Sequence, residues 1–242
     1  MFHHPQSIFF CAKILPINEV KVNIDVLLNE KIRGDCYRLL SACFYQPDKS
    51  LFVQENLLRN LAEALKRVCP PASVFAEEIE RAIAKYTNEE LLVDYAKLFV
   101  GPNELIAPPY GSIYLDKERK VMGDSTIKTM ELYREAGLAI SDDFKELPDH
   151  IAVELEFMYY LVFKETEALE KSDIDTAHKF IKMQQEFLNS FLGLWINNFC
   201  ERIENGTDNE FYRALARCVS AFIMNSVIPD KIMSEKAQGV LN

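Results

Sequence analysis

Apolar residues return every three or four positions through most of this chain, and that spacing restricts the fold more than any single motif does. Between Val26 and Phe44, residues Leu27, Leu28, Ile32, Cys36, Leu39, Leu40 and Cys43 fall at helical spacing, and Tyr45-Gln46-Pro47-Asp48 ends the run. Further helices are predicted near 50–67, 73–86 and 88–100, after Gly123-Asp124 as far as Ala136, from Pro148 to Leu169, and over 173–203 and 208–227. In Thr87-Asn88-Glu89-Glu90 a hydroxyl stands three residues before a carboxylate, the pattern of a capping box, and Gly101-Pro102 stops the helix it opens. Asp124 suits the N-cap of its helix. No useful strand alternation or internal repeat occurs, and 8 Gly with 10 Pro are few for an all-β chain. The expectation is an all-α fold: one globular helical bundle over 21–242, after an extension of residues 1–20 that carries no clear period.

The formal charge of −10, from 27 basic and 37 acidic residues, argues against a surface that tracks phosphates, so no nucleic-acid partner is expected. Six cysteines, at 11, 36, 43, 69, 200 and 218, form no Cys-x-x-Cys pair. Cys36 and Cys43 share a helix face, where free cysteine acts as a small buried hydrophobe, so a reducing cytoplasm is the expected location. No apolar run approaches the roughly 20 residues that span a bilayer, and Ser7-Ile8-Phe9-Phe10-Cys11-Ala12 is too short for a convincing signal peptide.

Two segments depart from the helical pattern. Between Gly101 and Gly123 the prolines and glycines forbid a continuous helix, yet Ile106, Tyr110, Ile113, Tyr114 and Leu115 are large and apolar. A loop so long and so apolar must pack or bind something. The second is Glu146-Leu147-Pro148-Asp149-His150, followed by the apolar stripe Ile151, Leu155, Met158, Val162 and Leu169. An acid after Pro148 would favour the helix macrodipole in any protein, and it would equally suit a guanidinium partner beside an apolar groove. His150 at the same positive helix end favours a neutral, hydrogen-bonding ring. Tyr95, Leu98 and Phe99 have the spacing of a core stripe, with Tyr95 the best placed to reach a partner. Trp195 is expected to anchor the core of the penultimate helix.

In this order, Tyr95-Ala96-Lys97-Leu98-Phe99-Val100-Gly101-Pro102, Pro108-Pro109-Tyr110-Gly111-Ser112-Ile113-Tyr114-Leu115-Asp116, Tyr133-x-x-Ala136-Gly137-Leu138 and Pro148-Asp149-His150 with Glu154-Leu155-Glu156-Phe157-Met158 resemble the TorD/DmsD/NarJ family of molybdoenzyme maturation chaperones, over about residue 30 to 228. The resemblance implies a cytoplasmic chaperone with no catalytic reaction and no cofactor. Its partner would be an apo-molybdoenzyme subunit and its twin-arginine signal peptide, held until the metal cofactor is inserted and export is permitted. It implies peptide-binding roles for Tyr95, Leu98, Phe99, Gly101, Pro108, Tyr110, Asp149 and His150. Relatives commonly carry tryptophan where this chain has Tyr95 and Tyr110. Some relatives are linked to guanine nucleotide, and some exchange helices between subunits, so the chain is expected as a monomer or as a domain-swapped dimer hinged at 141–148.

Other functions have weaker support. His150 with Glu154, and Asp175 with His178, each put an acid and an imidazole on one helix face, but the two Glu-x-x-His pairs and two further glutamates of a di-iron bundle are missing. Gly123-Asp124-Ser125-Thr126-Ile127-Lys128-Thr129 lacks the second glycine of a phosphate loop. No Gly-x-Ser-x-Gly elbow or local Cys/His nucleophile pair is present. A general helical interaction module without leader specificity is the main alternative.

Overall fold

Asn23 opens the first helix by accepting the Asp25 N–H on its side chain at 2.8 Å. The computed structural model describes residues 23–101, 105–118, 120–139 and 145–226. Among them eleven α-helices follow one another: α1 (Ile24–Cys43), α2 (Lys49–Gln54), α3 (Leu57–Val68), α4 (Pro70–Ile83), α5 (Asn88–Tyr95), α6 (Ser112–Leu115), α7 (Asp124–Glu135), α8 (Ile151–Glu170), α9 (Ile174–Phe187), α10 (Gly193–Gly206) and α11 (Glu210–Met224). Wide turns over Ala96–Val100 and Leu188–Leu192, with i to i+5 bonding, extend α5 and join α9 to α10. The extension expected at 1–20 lies outside the described residues, as do positions 141–144 of the proposed hinge.

The all-α expectation holds, and Thr87 and Glu90 form the capping box that their spacing predicts. Four local expectations need correction. The helix predicted over 50–67 is two, because Asn56 takes a left-handed conformation at φ 49° and turns the chain between α2 and α3. The run over 173–203 is interrupted by the second wide turn. A short helix, α6, occupies the segment predicted as loop. Asp124 is not a cap: Gly123 holds that position, and the α7 terminus is served by Asp116, whose carboxylate accepts the Ser125 hydroxyl at 3.0 Å and N–H at 3.2 Å.

α8 runs through the middle of the bundle between α1 and α9, and thirteen of its twenty residues are buried, so nearly every face of it must be apolar or internally bonded. It carries two acids at zero exposure, Glu154 near its start and Glu165 near its end. Glu165 belongs to a buried network that ties α1, α8 and α9. Arg33 donates to Glu30 at 2.8 and 2.5 Å and to Gln184 Oε1 at 2.7 Å, and the Gln184 amide donates to Glu165 at 2.7 Å. Burial, and then the charge of Glu30, push the Glu165 carboxyl above the usual carboxylate range. Arg33 opposes that rise, and it is the one cation in the network. The five described cysteines are buried and none forms a disulfide.

Removing one partner from such a network leaves a buried charge unpaired, which costs about 3–5 kcal/mol. Arg33→Met should lower unfolding stability by that amount in urea titration. Restoring most of the loss in Arg33→Met with Glu30→Gln and Glu165→Gln would assign it to the orphaned acids.

Candidate functional site

At the end of α5 the wide turn Ala96–Val100 stops at Gly101, whose φ of 52° and ψ of 152° few side-chain-bearing residues adopt. The turn buries Leu98 completely and Phe99 to 4% exposure. The Phe99 ring packs within 5.2–6.4 Å, centroid to centroid, of Tyr95, Phe44, Phe199 and Tyr212. Leu98 and Phe99, expected to touch a peptide, are therefore core residues that fix where Tyr95 stands at the half-buried rim.

The chain returns with the Ala107 N–H donating to the Leu98 carbonyl at 2.9 Å, and Pro108 and Pro109 are buried. Four backbone N–H groups then join the loop to the start of α8 and seal the helix end. Gly111 N–H donates to the Asp149 carbonyl at 2.8 Å, Ile151 N–H donates to the Pro109 carbonyl at 2.8 Å, and Ser112 N–H donates to the Asp149 carboxylate at 2.8 Å. Ala152 N–H donates to His150 Nδ1 at 3.2 Å, which makes His150 the N-cap of α8. Asp149 thus precedes the cap instead of sitting in the first turn, and at 1% exposure one of its oxygens accepts from the loop while the other is buried without a hydrogen-bond partner. A side chain at Gly111 would crowd the site, since a Cβ would meet Trp195 Nε1 at 3.1 Å and Glu154 Oε1 at 3.2 Å and both buried groups would have to shift. Trp195, fully buried as expected, donates its indole N–H to Glu154 Oε2 at 3.0 Å and stacks on Tyr114 at 5.4 Å. Burial is the main cause that raises Glu154 well above the usual carboxylate range, and the nearby Asp149 charge adds to it.

Burial also lowers His150 from 6.5 to about 4, so the ring is neutral near pH 7, with its proton on Nε2 because Nδ1 accepts the cap bond. The ring stacks against Tyr45 at 6.3 Å and meets Tyr110 edge-on at 5.5 Å. Tyr45 and Tyr110 are half-buried, and so is Tyr95, which lies close enough to both to interact electrostatically while donating its hydroxyl to the Phe44 carbonyl at 3.4 Å. Each is raised by burial first, Tyr95 to about 12, and the exposed Glu146 carboxylate stands close enough to raise all three further. Tyr45 donates its hydroxyl to Glu156 at 3.0 Å. Glu146 has no ion-pair partner among the described residues. The result is an aromatic notch with the Glu146 carboxylate, unpaired among the described residues, beside it and a second acid, Glu156, at its edge.

Of the sequence-predicted residues, the structure brings Tyr95, Tyr110 and His150 together at this notch; Asp149 ties the loop that carries Tyr110, Pro108 is buried with its carbonyl accepting from the Tyr114 hydroxyl, and Gly101 closes the turn after Tyr95. Tyr45, Glu146 and Glu156 were missed. Tyr45 lies 50 residues from Tyr95 and follows the end of α1, where it reads as a helix stop, and Glu146 reads as part of a turn. Glu156 carried a signal, as the one acid in the apolar run Leu155-Glu156-Phe157-Met158. The His150 and Glu154 metal pair does not form, since both side chains are committed to other bonds. Among the described residues no group of three His, Cys, Asp or Glu is arranged to hold a metal, and no helix is long and apolar enough to cross a membrane.

The family model described as "Nitrate reductase delta subunit" matches residues 57–201, more than half of the chain. The chain belongs to that family, which includes the TorD and DmsD chaperones. A "Chaperone protein TorD" from Shewanella loihica is 26% identical over 214 residues, covering 84% of this chain and 95% of the relative. A protein of Haemophilus influenzae named for the Tat proofreading chaperone DmsD is 29% identical over 140 residues, 58% of this chain and 62% of its own length. In three dimensions the chain superposes on a crystal structure from Archaeoglobus fulgidus, described as a redox enzyme maturation protein, with a TM-score of 0.52 and 23% identity over 79% of this chain and 94% of the other. The family is one of maturation chaperones rather than of enzymes.

Two outcomes test the site's construction. Asp149→Ala leaves the Ser112 N–H without its acceptor, at about 1–3 kcal/mol, and should loosen the loop over the sole tryptophan. A red-shifted Trp195 emission that precedes global unfolding in urea checks this. The second concerns pH: a group whose folded pKa is depressed binds fewer protons when folded, so its contribution is lost as pH falls from about 6.5 to about 4. Relative to His150→Asn, which keeps a capping side chain, the parent should lose up to about 3 kcal/mol across that window, measured by urea unfolding at pH 7 and pH 4. The comparison with the variant cancels the opposite-signed contributions of Glu154 and Glu165.

Proposed function

We propose that this chain is a cytoplasmic chaperone that binds the twin-arginine leader of an apo-molybdoenzyme and holds the client for cofactor insertion before export. Membership of the family supports the chaperone role, and the names of the TorD and DmsD relatives support the client class. The observation that supports the leader reading is the notch of Tyr45, Tyr95 and Tyr110 packed about His150, with Glu146 beside it unpaired among the described residues. A guanidinium is planar and weakly hydrated. It stacks on aromatic faces and pairs in a fork with a carboxylate, and both partners are offered here within one half-buried site. The neutral His150 adds an aromatic wall without a repelling charge. Tyr95 and Tyr110 make contact in this reading. Gly101, Pro108, Asp149 and His150 hold them in position, and Leu98 and Phe99 anchor the turn from below.

The test is calorimetric titration with leader peptides of the host's molybdoenzymes, in parent and Arg-to-Gln forms. Glu146→Gln should weaken the parent leader about tenfold, the equivalent of about 1.4 kcal/mol, while leaving the melting temperature unchanged. The Arg-to-Gln leader should bind both proteins equally weakly. Equal binding of parent and substituted leaders by the unmodified protein would instead indicate a helical interaction module without leader specificity.

A further inference from the structure

α4 and α11 pack side by side with matching stripes. On α4 and the turn after it, Glu78, Arg81, Ala82 and Lys85 follow at i, i+3, i+4 and i+7. On α11, Glu210, Arg213, Ala214 and Arg217 repeat the same spacing. Ala82 and Ala214, both 3% exposed, let the two backbones approach and leave a cleft of about 440 Å³ walled by the longer side chains. Four cations and two acids line it, in a chain whose net charge is −10.

The cations are not equally occupied. Lys85 reaches Glu210 at 2.6 Å, Arg217 reaches Glu204 at 2.6 Å, and Arg81 stands 3.8 Å from Glu77. Arg213 has no ion-pair partner among the described residues, and its buried Nε has no hydrogen-bond acceptor. The C-terminal end of α4 favours cations by its dipole, which explains Arg81 and Lys85 without any ligand. It does not explain an unpartnered guanidinium near the start of α11, at a helix end where positive charge is disfavoured. Nε itself is closed to solvent, so Arg213 offers the cleft its two terminal nitrogens, which make no hydrogen bond or ion pair among the described residues, and an oxyanion is the group that pairs with such a fork.

We propose that the α4–α11 cleft binds a compact, multiply charged oxyanion of the pyrophosphate class, held by Arg213 with Arg81, Lys85 and Arg217 around it. The cleft is about two helical turns long, near 10 Å, which suits a diphosphate better than an extended acidic peptide. Its alanine floor gives a peptide's apolar side chains little to grip. This site is on different helices from the aromatic notch and does not depend on leader binding.

The experiment is titration calorimetry of the full chain with inorganic pyrophosphate at low ionic strength, where surface attraction is least screened. Saturable one-to-one binding is expected, weakened about fivefold or more in Arg213→Gln, with leader affinity unchanged. Arg81→Gln with Lys85→Gln, at exposed positions, should weaken it also and stands in if Arg213→Gln does not fold. ADP binding about tenfold more tightly than pyrophosphate would assign the ligand as the diphosphate arm of a larger molecule, and equal binding would assign the free anion. The proposal is overturned by no saturation at millimolar pyrophosphate, by undiminished affinity in the variants, or by saturation with an Asp/Glu-rich peptide alone.

Discussion

The bond from the Ser112 N–H to the buried Asp149 carboxylate decides the shape of the functional end of this molecule. It lies between two segments that sequence separates by 37 residues, and the Gly111 and Ile151 backbone bonds flank it on both sides. A charge-assisted bond to a backbone donor is strong when water is excluded. With it in place the loop cannot swing away from α8, Tyr110 must face His150, and Tyr114 must lie on Trp195. The notch is therefore a product of backbone bonding between a loop and a helix start, rather than of side chains meeting across an open cleft.

α8 bears the electrostatic load of the fold. Two acids at zero exposure, eleven residues apart, are made tolerable in different ways. Glu154 is held above the usual carboxylate range by burial and rests against an indole N–H. Glu165 shares a network with the Arg33 cation and an amide. The first arrangement serves the loop and the second clamps α1 to α9, so the two ends of one helix do separate work.

The helices and the unusual loop could be read from the sequence, because apolar spacing and glycine or proline breaks are local properties. The role of Asp149 could not. Its position after Pro148 matches a first-turn acid, and only the return of the 109–112 backbone gives the carboxylate another donor. Tyr45 and Glu146 were beyond reach for a related reason: one follows α1 and the other precedes α8, and no local period connects them to Tyr95 at the end of α5 or to Tyr110 in the loop. Leu98 and Phe99 were read correctly as a helical stripe. Packing carries that core spacing through, with Leu98 fully buried and Phe99 set against Phe44, Phe199 and Tyr212.

The wide turn at Leu188–Leu192 sets a phase. Each residue of an α-helix advances the azimuth by about 100°, so the one extra residue in this turn rotates all of α10 relative to α9. Trp195 owes its aim at Glu154 to that rotation, and so does the stacking of Tyr114 above it. Deleting a single residue there would leave α10 helical yet turn its aromatic face away from the loop. The geometry of the loop over α8 is thus encoded partly in the winding of a turn that belongs to neither the loop nor α8.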